Sequence, residues 1–86
     1  MAMKPVDRLL ATARAEIGYI EKETNAHLDD KTANAGDGNW NKYARDLDAL
    51  GVVYNSKKNG YAWCDIFTDW CFIQTFGLEL GLQLLC

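Results

Sequence analysis

The chain has 86 residues, of which 49% are hydrophobic and 24% charged, and its formal net charge at pH 7 is -3. This size and composition predict one small globular domain and exclude a fibrous or disordered chain. The negative charge argues against binding to nucleic acid or to an anionic membrane surface, and no apolar run approaches the roughly 18 residues that span a bilayer. The opening residues, MAMKP, lack the apolar stretch of a secretory signal, so we do not expect export by that route.

The first element in chain order is predicted to be an amphipathic helix. Apolar residues recur at spacings of three and four from Val6 to Ile20, which is typical of a helix with one buried stripe. Pro5 suits the first helical position and Asp7 suits the positive end of the helix. Gly18 predicts where the helix stops.

A polar stretch follows at residues 21–39 and predicts a long ordered loop or a pair of turns. Long loops in compact domains tend to be functional or disordered. Asp29, Asp30 and Asp37 carry the oxygen ligands that calcium takes, although their spacing differs from that of an EF-hand loop. The same residue types are ordinary turn formers, so calcium binding and plain turn chemistry both stay open for this loop.

A second helix is predicted between Asn39, which can cap its beginning, and Gly51, which can end it. A short extended piece at residues 52–54 and a turn at residues 55–60 come after it. We expect the aromatic residues of this helix to belong to the core. The residues on its predicted buried face are Trp40, Tyr43, Ala44 and Leu47.

A third helix is predicted to begin near Trp63 or Cys64 and to end at Gly77. The leucine-rich residues 78–85 alternate as a strand would, but their position directly after Gly77 also suits a short helix, which we favour. The sequence stops on an apolar run with no polar cap. We therefore expect these residues to be part of a larger domain.

Three cysteines are present, Cys64, Cys71 and Cys86, and none has the spacing of a zinc site. On one helix Cys64 and Cys71 would lie about 10 Å apart along the axis, which is too far for a disulfide. This favours a reduced, cytoplasmic environment. A cysteine in an aromatic-rich helix is usually a small buried hydrophobe, and we interpret Cys71 in that way.

Cys64 has a different position, because it is predicted at the beginning of the third helix. The unpaired backbone N–H groups of a helix N-terminus favour a thiolate over a thiol, and the thiolate is the nucleophilic form. The same N–H groups can form part of an oxyanion hole for acyl transfer. The position is therefore compatible with a catalytic cysteine.

The block at residues 39–77 resembles the CHAP-domain amidases and endopeptidases of phage endolysins and prophages of Gram-positive bacteria. Its signature is Trp-Cys-Asp-x-Phe-x-x-Trp, beginning at Trp63. The resemblance implies an α+β papain-like (CHAP) domain with helices packed on an antiparallel sheet. Residues 1–86 would then be the mostly α-helical N-terminal half of that single catalytic domain, the half that bears the nucleophile. The stretches that carry the resemblance are NWNKY (39–43), NGYAWCD (59–65), DWCF (69–72) and IGYIEK (17–22).

The resemblance implies a peptidoglycan hydrolase, either an N-acetylmuramoyl-L-alanine amidase or a peptidoglycan endopeptidase, with Cys64 as its nucleophile. Tyr61 and Trp63 are the implied substrate-binding residues. In this family the histidine that serves as general base lies downstream of the cysteine, on the sheet. The single histidine of this chain, His27, lies upstream, and we interpret it as an exposed loop residue. We therefore expect these residues alone to be inactive.

Cell-wall peptidoglycan is the implied partner, and the protein would stay in the cytoplasm until it is released to the wall. No cofactor is implied apart from calcium, which some CHAP endolysins bind on an acidic loop before the nucleophile, here at Asp29, Asp30 and Asp37. Two other classes of protein stay open. One is a non-catalytic helical module that binds a partner, or a second copy of itself, through an exposed apolar face. The other is a calcium-stabilised structural fragment.

Overall fold

A computed structural model describes residues 4–54 and 56–84. In these residues, extended pairing is limited to two isolated antiparallel bridges, which join Lys22 to Ala35 and to Trp40. The described residues thus form mainly helices and turns, as expected for this part of the chain. The papain-like assignment of the whole domain stays a prediction. None of the helices in the described ranges is both long enough and apolar enough to span a membrane. The four helices are α1 (Pro5–Arg14), α2 (Lys42–Leu50), α3 (Cys64–Phe76) and α4 (Leu78–Leu84).

Helix α1 begins at Pro5, as predicted, but it ends at Arg14, before the predicted stop. Turns continue the chain to Gly18, whose φ of 96° is in the left-handed region that glycine favours. The predicted buried stripe is wrong, because α1 has no buried residue and Ile17 and Ile20 after it are 74% and 44% exposed. The apolar spacing continues past the residue at which the backbone leaves the helix.

Helix α2 is capped by Asn41, whose Oδ1 accepts a hydrogen bond from the backbone N–H of Ala44 at 2.9 Å. The prediction of Asn39 as the cap is wrong, and Trp40 is outside the helix and half-buried rather than in its core face. The other end is as predicted, because Gly51 closes the helix with a φ of 74°. The predicted burial of Tyr43, Ala44 and Leu47 is confirmed.

Helix α3 has 13 residues and is the central element, since it packs against each of the other three helices. It begins at Cys64 and ends before Gly77, within the predicted bounds. Phe67 of this helix is half-buried. The buried residues of α3 are Ile66, Trp70, Cys71 and Ile73, and they meet Tyr43, Ala44 and Leu47 of α2 in one core cluster.

Residues 78–84 form the helix α4, which confirms the favoured prediction for that segment. Gly81 allows α4 to approach α3 closely: a Cβ atom at this position would lie 2.8 Å from the Cα of Ile73. Residue 81 is therefore a position where a side chain cannot be added without displacing one of the two helices. Cys86 and the last leucine of the predicted segment lie outside the described residues.

The polar stretch is an ordered loop closed at its base by Lys22 and Trp40, whose backbones exchange hydrogen bonds of 2.7 and 3.2 Å. One alternative for this stretch, a long ordered loop, is thus confirmed. Leu28 from the loop is buried, and its carbonyl accepts a 2.6 Å hydrogen bond from the Tyr19 hydroxyl. The Lys22 side chain is fully buried, with its Nζ 4.8 Å from the centre of the Tyr19 ring and without a hydrogen-bond partner among the described residues.

Candidate functional site

Cys64 is the first residue of α3 and its side chain is exposed. The preceding residue, Trp63, occupies the cap position, and no side chain among the described residues bonds to the N–H groups of the first turn. Those N–H groups stay available at the end of the helix where Cys64 lies. The predicted position of Cys64 at a helix N-terminus is therefore confirmed.

The turn that leads into Cys64 is held in place by α2. The carboxylate of Asp48 accepts hydrogen bonds of 2.9 to 3.0 Å from the backbone N–H groups of Lys58 and Asn59. In return, Oδ1 of Asn59 accepts a 3.0 Å hydrogen bond from the backbone N–H of Asn41. Gly60 then turns the chain with a φ of 95°. Residues at both ends of α2 thus hold the turn that precedes Cys64 in place.

A cluster of aromatic rings lies behind Trp63. The ring of Tyr43 stacks on that of Trp63, with centroids 5.7 Å apart and an angle of 19° between the planes. Edge-on contacts join Tyr43 to Phe67 at 4.8 Å and to Trp70 at 4.9 Å. Aromatic pairs of this geometry each contribute about 0.5–1.5 kcal/mol beyond the area that they bury. The residue next to Cys64 is therefore held rigidly against the core.

Trp63 also lines a cavity of about 290 Å³ between α1 and α3. Glu16 contributes a carboxylate to its wall, which pairs with the ammonium of Lys42 at 2.5 Å and accepts a 3.1 Å hydrogen bond from the Tyr43 hydroxyl. Burial and the nearby Glu16 carboxylate raise the pKa of Tyr43 far above its usual range, so the phenol stays a donor. The negative charge of Glu16 on this wall is thus balanced by the positive charge of Lys42. The full lining is Ala13, Glu16, Ile17, Gly18, Tyr19, Tyr43, Trp63 and Phe67.

A larger cavity of about 640 Å³ lies on the side of Tyr61. Tyr61 itself is 66% exposed. Of the two residues implied for substrate binding, Trp63 thus lines one cavity and Tyr61 lines the other. The residues of this second cavity, which we call the Trp40–Tyr61 cavity, are Asn25, Trp40, Arg45, Asp48, Ala49, Lys57, Asn59 and Tyr61.

Cys71 lies two turns further along α3 in different surroundings. It is 4% exposed and belongs to the core cluster. Burial raises the pKa of the Cys71 thiol to about 11, so it stays protonated at neutral pH. The interpretation of Cys71 as a core residue is confirmed.

Two of the three acidic residues considered for calcium, Asp29 and Asp30, have partners within the protein. Asp29 pairs with Arg45 at 2.7 Å, and this hydrogen bond lowers the pKa of Asp29. Oδ1 of Asp30 accepts hydrogen bonds of 3.0 Å from the backbone N–H groups of residues 32 and 33, which lower its pKa as well. Across residues 4–54 and 56–84, no group of three or more His, Cys, Asp or Glu side chains is arranged to hold a metal ion. The geometry favours turn formation by Asp30 and gives no support to calcium at Asp29, Asp30 and Asp37.

His27 is an exposed loop residue, as interpreted from the sequence. Its φ of 56° is in the left-handed region, and its carbonyl accepts a 3.2 Å hydrogen bond from the backbone N–H of Asp30. Sequence reasoning missed Glu16 and Lys42, which form an ion pair in which Glu16 shares a cavity wall with Trp63. The only signal for Lys42 was its place in the stretch NWNKY, and Glu16 lies just before the stretch IGYIEK.

Comparison with protein-family models gave no match, and comparisons with curated proteins and with solved structures gave no significant match either. The family of this chain is therefore not established by similarity. A functional assignment depends on the surroundings of Cys64 and on the residue pattern around it.

Proposed function

We propose that this chain carries the nucleophile of a CHAP-type cysteine peptidoglycan hydrolase, and that Cys64 is that nucleophile. The observation that carries the proposal is the position of Cys64, exposed at the first residue of a 13-residue helix. The resemblance of residues 39–77 to CHAP sequences supports the choice of substrate. The fixed turn before Cys64 supports a catalytic role as well, because a nucleophile must be held within a narrow geometry.

The reaction follows from the chemistry of a thiolate. The sulfur adds to an amide carbonyl of the stem or cross-bridge, and the N–H groups at the start of α3 stabilise the oxyanion that forms. The C–N bond then breaks, the amine leaves with a proton, and water hydrolyses the thioester. A histidine base takes and returns the proton in this family. The position of His27 does not match the order of the family, so we do not assign this role to His27.

Turbidity of purified Gram-positive cell walls tests the proposal. The protein used is the product of the complete reading frame that includes these 86 residues. We expect it to clear the walls, Cys64→Ala to lose clearing, and Cys71→Ala to keep most of it, since Cys71 is buried in the core. Clearing by the Cys64→Ala protein at the rate of the unchanged protein would rule out Cys64 as the nucleophile.

A non-catalytic interaction module is the second candidate, and the exposed apolar residues of α1 favour it. Val6 and Leu10 lie one turn apart on this helix and are 57% and 42% exposed. Such a module needs no reactive thiol. This candidate would be favoured over the hydrolase by two results together. The complete protein would leave the walls intact, and changing Val6 and Leu10 would abolish its binding to a second copy of itself.

A further inference from the structure

We propose that the loop at residues 21–39 is a conformational switch that opens while the helices stay folded. The closed loop buries the Lys22 side chain. Opening releases this lysine to solvent and frees Tyr19, which lines the same cavity as Trp63. The proposal depends on the packing of the loop and not on the catalytic role of Cys64, so either can fail without the other.

Lys22 makes the closed loop less stable than its other contacts alone would make it. The side chain is fully buried, and its Nζ has no hydrogen-bond partner among residues 4–54 and 56–84. The Tyr19 ring, whose centre is 4.8 Å from Nζ, offers a cation–π contact but no acceptor along a lone pair. A charged group is costly to bury unless it is both paired and hydrogen-bonded, so solvation of Lys22 favours the open loop.

The backbone of the loop adds to this cost. All three non-glycine residues with a left-handed φ in the described part of the chain lie in the loop: His27 and Asn34 at 56° and Asn39 at 62°. Asn and His tolerate this region better than most residues, but it stays less favourable than helical or extended backbone. Such conformations persist only where the surrounding contacts hold them, so an open loop can relax them.

The body of the loop is bonded to itself. Nδ2 of Asn34 donates to the Oγ1 and the carbonyl oxygen of Thr24, at 3.0 and 3.1 Å. The backbone N–H of Asp37 donates to Oε2 of Glu23 at 3.1 Å. These bonds join the two arms of the loop, so the body of the loop can move as one piece about its base.

Two of the contacts that tie this body to the rest of the chain are exposed. Nζ of Lys31 donates to the carbonyls of Ala15 and Ile17 at 2.9 and 3.2 Å. Arg45 pairs with Asp29 at 2.7 Å. Exposed charged contacts of this kind contribute little to stability, so the loop can leave them without unfolding the helices.

Tyr19 couples the loop to the cavity of about 290 Å³ between α1 and α3. Its hydroxyl donates a 2.6 Å hydrogen bond to the carbonyl of the buried Leu28 and accepts one of 2.9 Å from the backbone N–H of Lys42. Its ring lies edge-on to that of Trp63, with centroids 6.5 Å apart. When Leu28 leaves with the loop, the Tyr19 hydroxyl loses its acceptor. The wall of the cavity next to Trp63 is then free to rearrange.

The test is amide hydrogen exchange of the ¹⁵N-labelled 86-residue chain, with Lys22→Met as the variant. Methionine is unbranched like lysine but carries no charge. We therefore expect exchange at the hydrogen-bonded loop amides of Glu23 and Gly36 to slow by about tenfold or more. Lys31→Met is the matched control in the same loop. It removes the two bonds from Nζ, and we expect the same amides to exchange about threefold faster.

Two amides in the first turn of α2 test the link to Tyr19. The Lys42 N–H bonds to the Tyr19 hydroxyl, and the Ala44 N–H bonds to Oδ1 of Asn41, each at 2.9 Å. In the Lys22→Met chain, exchange at Lys42 should slow together with the loop amides, whereas exchange at Ala44 should stay as it is. Equal changes at the two amides would overturn the release of Tyr19 by the loop.

A second measurement needs no substitution. Acetylation by an N-hydroxysuccinimide ester at limiting reagent, followed by peptide mapping, reports how often Lys22 reaches solvent. Local opening exposes little surface, so we expect its rate to stay nearly constant in urea below the unfolding transition, whereas exchange at the Trp70 amide of α3 rises steeply. A labelling rate that rises with urea as steeply as exchange at Trp70 would overturn the proposal. So would loop exchange that is unchanged or faster in Lys22→Met, because a bound water or ion would then satisfy Lys22 in the closed loop.

Discussion

Two cysteines of one helix lie in opposite surroundings, and this difference is measurable residue by residue. In a Cys86→Ser chain, we expect iodoacetamide to modify Cys64 about tenfold or more faster than Cys71, because Cys64 is exposed and Cys71 is 4% exposed. Peptide mapping by mass spectrometry gives the two rates. Denaturation in urea should abolish the difference, and equal rates in the folded chain would contradict the packing of α3.

Burial of Cys71 also predicts a loss of stability in alkali. The thiol of the unfolded chain loses its proton near its ordinary pKa of 9.0, whereas the folded chain holds the proton to a pKa of about 11. The unfolded state therefore binds fewer protons over this window, and the free energy of unfolding falls as pH rises from about 9 to about 11. Urea denaturation at several pH values should show a shallower fall for Cys71→Ala. An identical pH dependence would mean that Cys71 is not buried.

At the scale of elements, the capping of α2 can be tested with two asparagines that lie two positions apart. Asn41→Ala removes the acceptor for the Ala44 N–H and is expected to lower the free energy of unfolding by about 1–2 kcal/mol. Asn39→Gly is the control, because glycine adopts the φ of 62° at this position readily. We expect it to change stability by less than about 0.5 kcal/mol in the same urea titration. A larger cost at residue 39 would restore the cap predicted from the sequence.

For the loop at residues 21–39, we expect millimolar calcium to leave the thermal midpoint unchanged. Asp29 is already paired with Arg45, and Asp30 bonds to its own turn. A cation that bound the folded chain alone would raise the midpoint, and EDTA would reverse the rise. Such a reversible rise would support the calcium hypothesis. Arg45→Gln is the informative comparison, since it frees the carboxylate of Asp29.

The sequence predicts elements well where one residue type decides the outcome. Gly51 and Gly77 end their helices as expected, since a left-handed or otherwise unusual φ suits glycine. The residue that caps α2 could not be predicted from the local sequence, because an asparagine lies on each side of Trp40 and either one can cap a helix. The bridge of Trp40 to Lys22 decides between them, and that contact joins distant parts of the chain.

In the candidate site, too, local sequence predicts some features and the packing of distant residues decides others. Cys64 follows from a local pattern, a glycine turn before an apolar helix. The ion pair between Glu16 and Lys42 depends on the packing of the segment after α1 near α2, which no local spacing encodes. The Trp40–Tyr61 cavity is likewise formed by residues that are far apart in sequence.

At the scale of the whole molecule, an exposed apolar surface on and just after α1 predicts self-association. Val6, Leu10 and Ile17 are 57%, 42% and 74% exposed. Exposed apolar patches drive association. Light scattering should show a mass that rises with concentration and falls in a Val6→Ser, Leu10→Ser chain. Leu50→Ser, at a 41% exposed position of α2, is the control, and a constant monomer mass would contradict the prediction.

The central place of α3 has a consequence for how the protein is made. Within the described residues α1, α2 and α4 each pack on α3 and not on one another. A ribosome releases the chain from its N-terminus, so α1 and α2 emerge while the surface that they need has not been synthesised. Their apolar faces stay open until Cys64–Phe76 has left the exit tunnel. Stable folding of α1 and α2 therefore waits for α3, and these two helices are the part that a chaperone would have to protect.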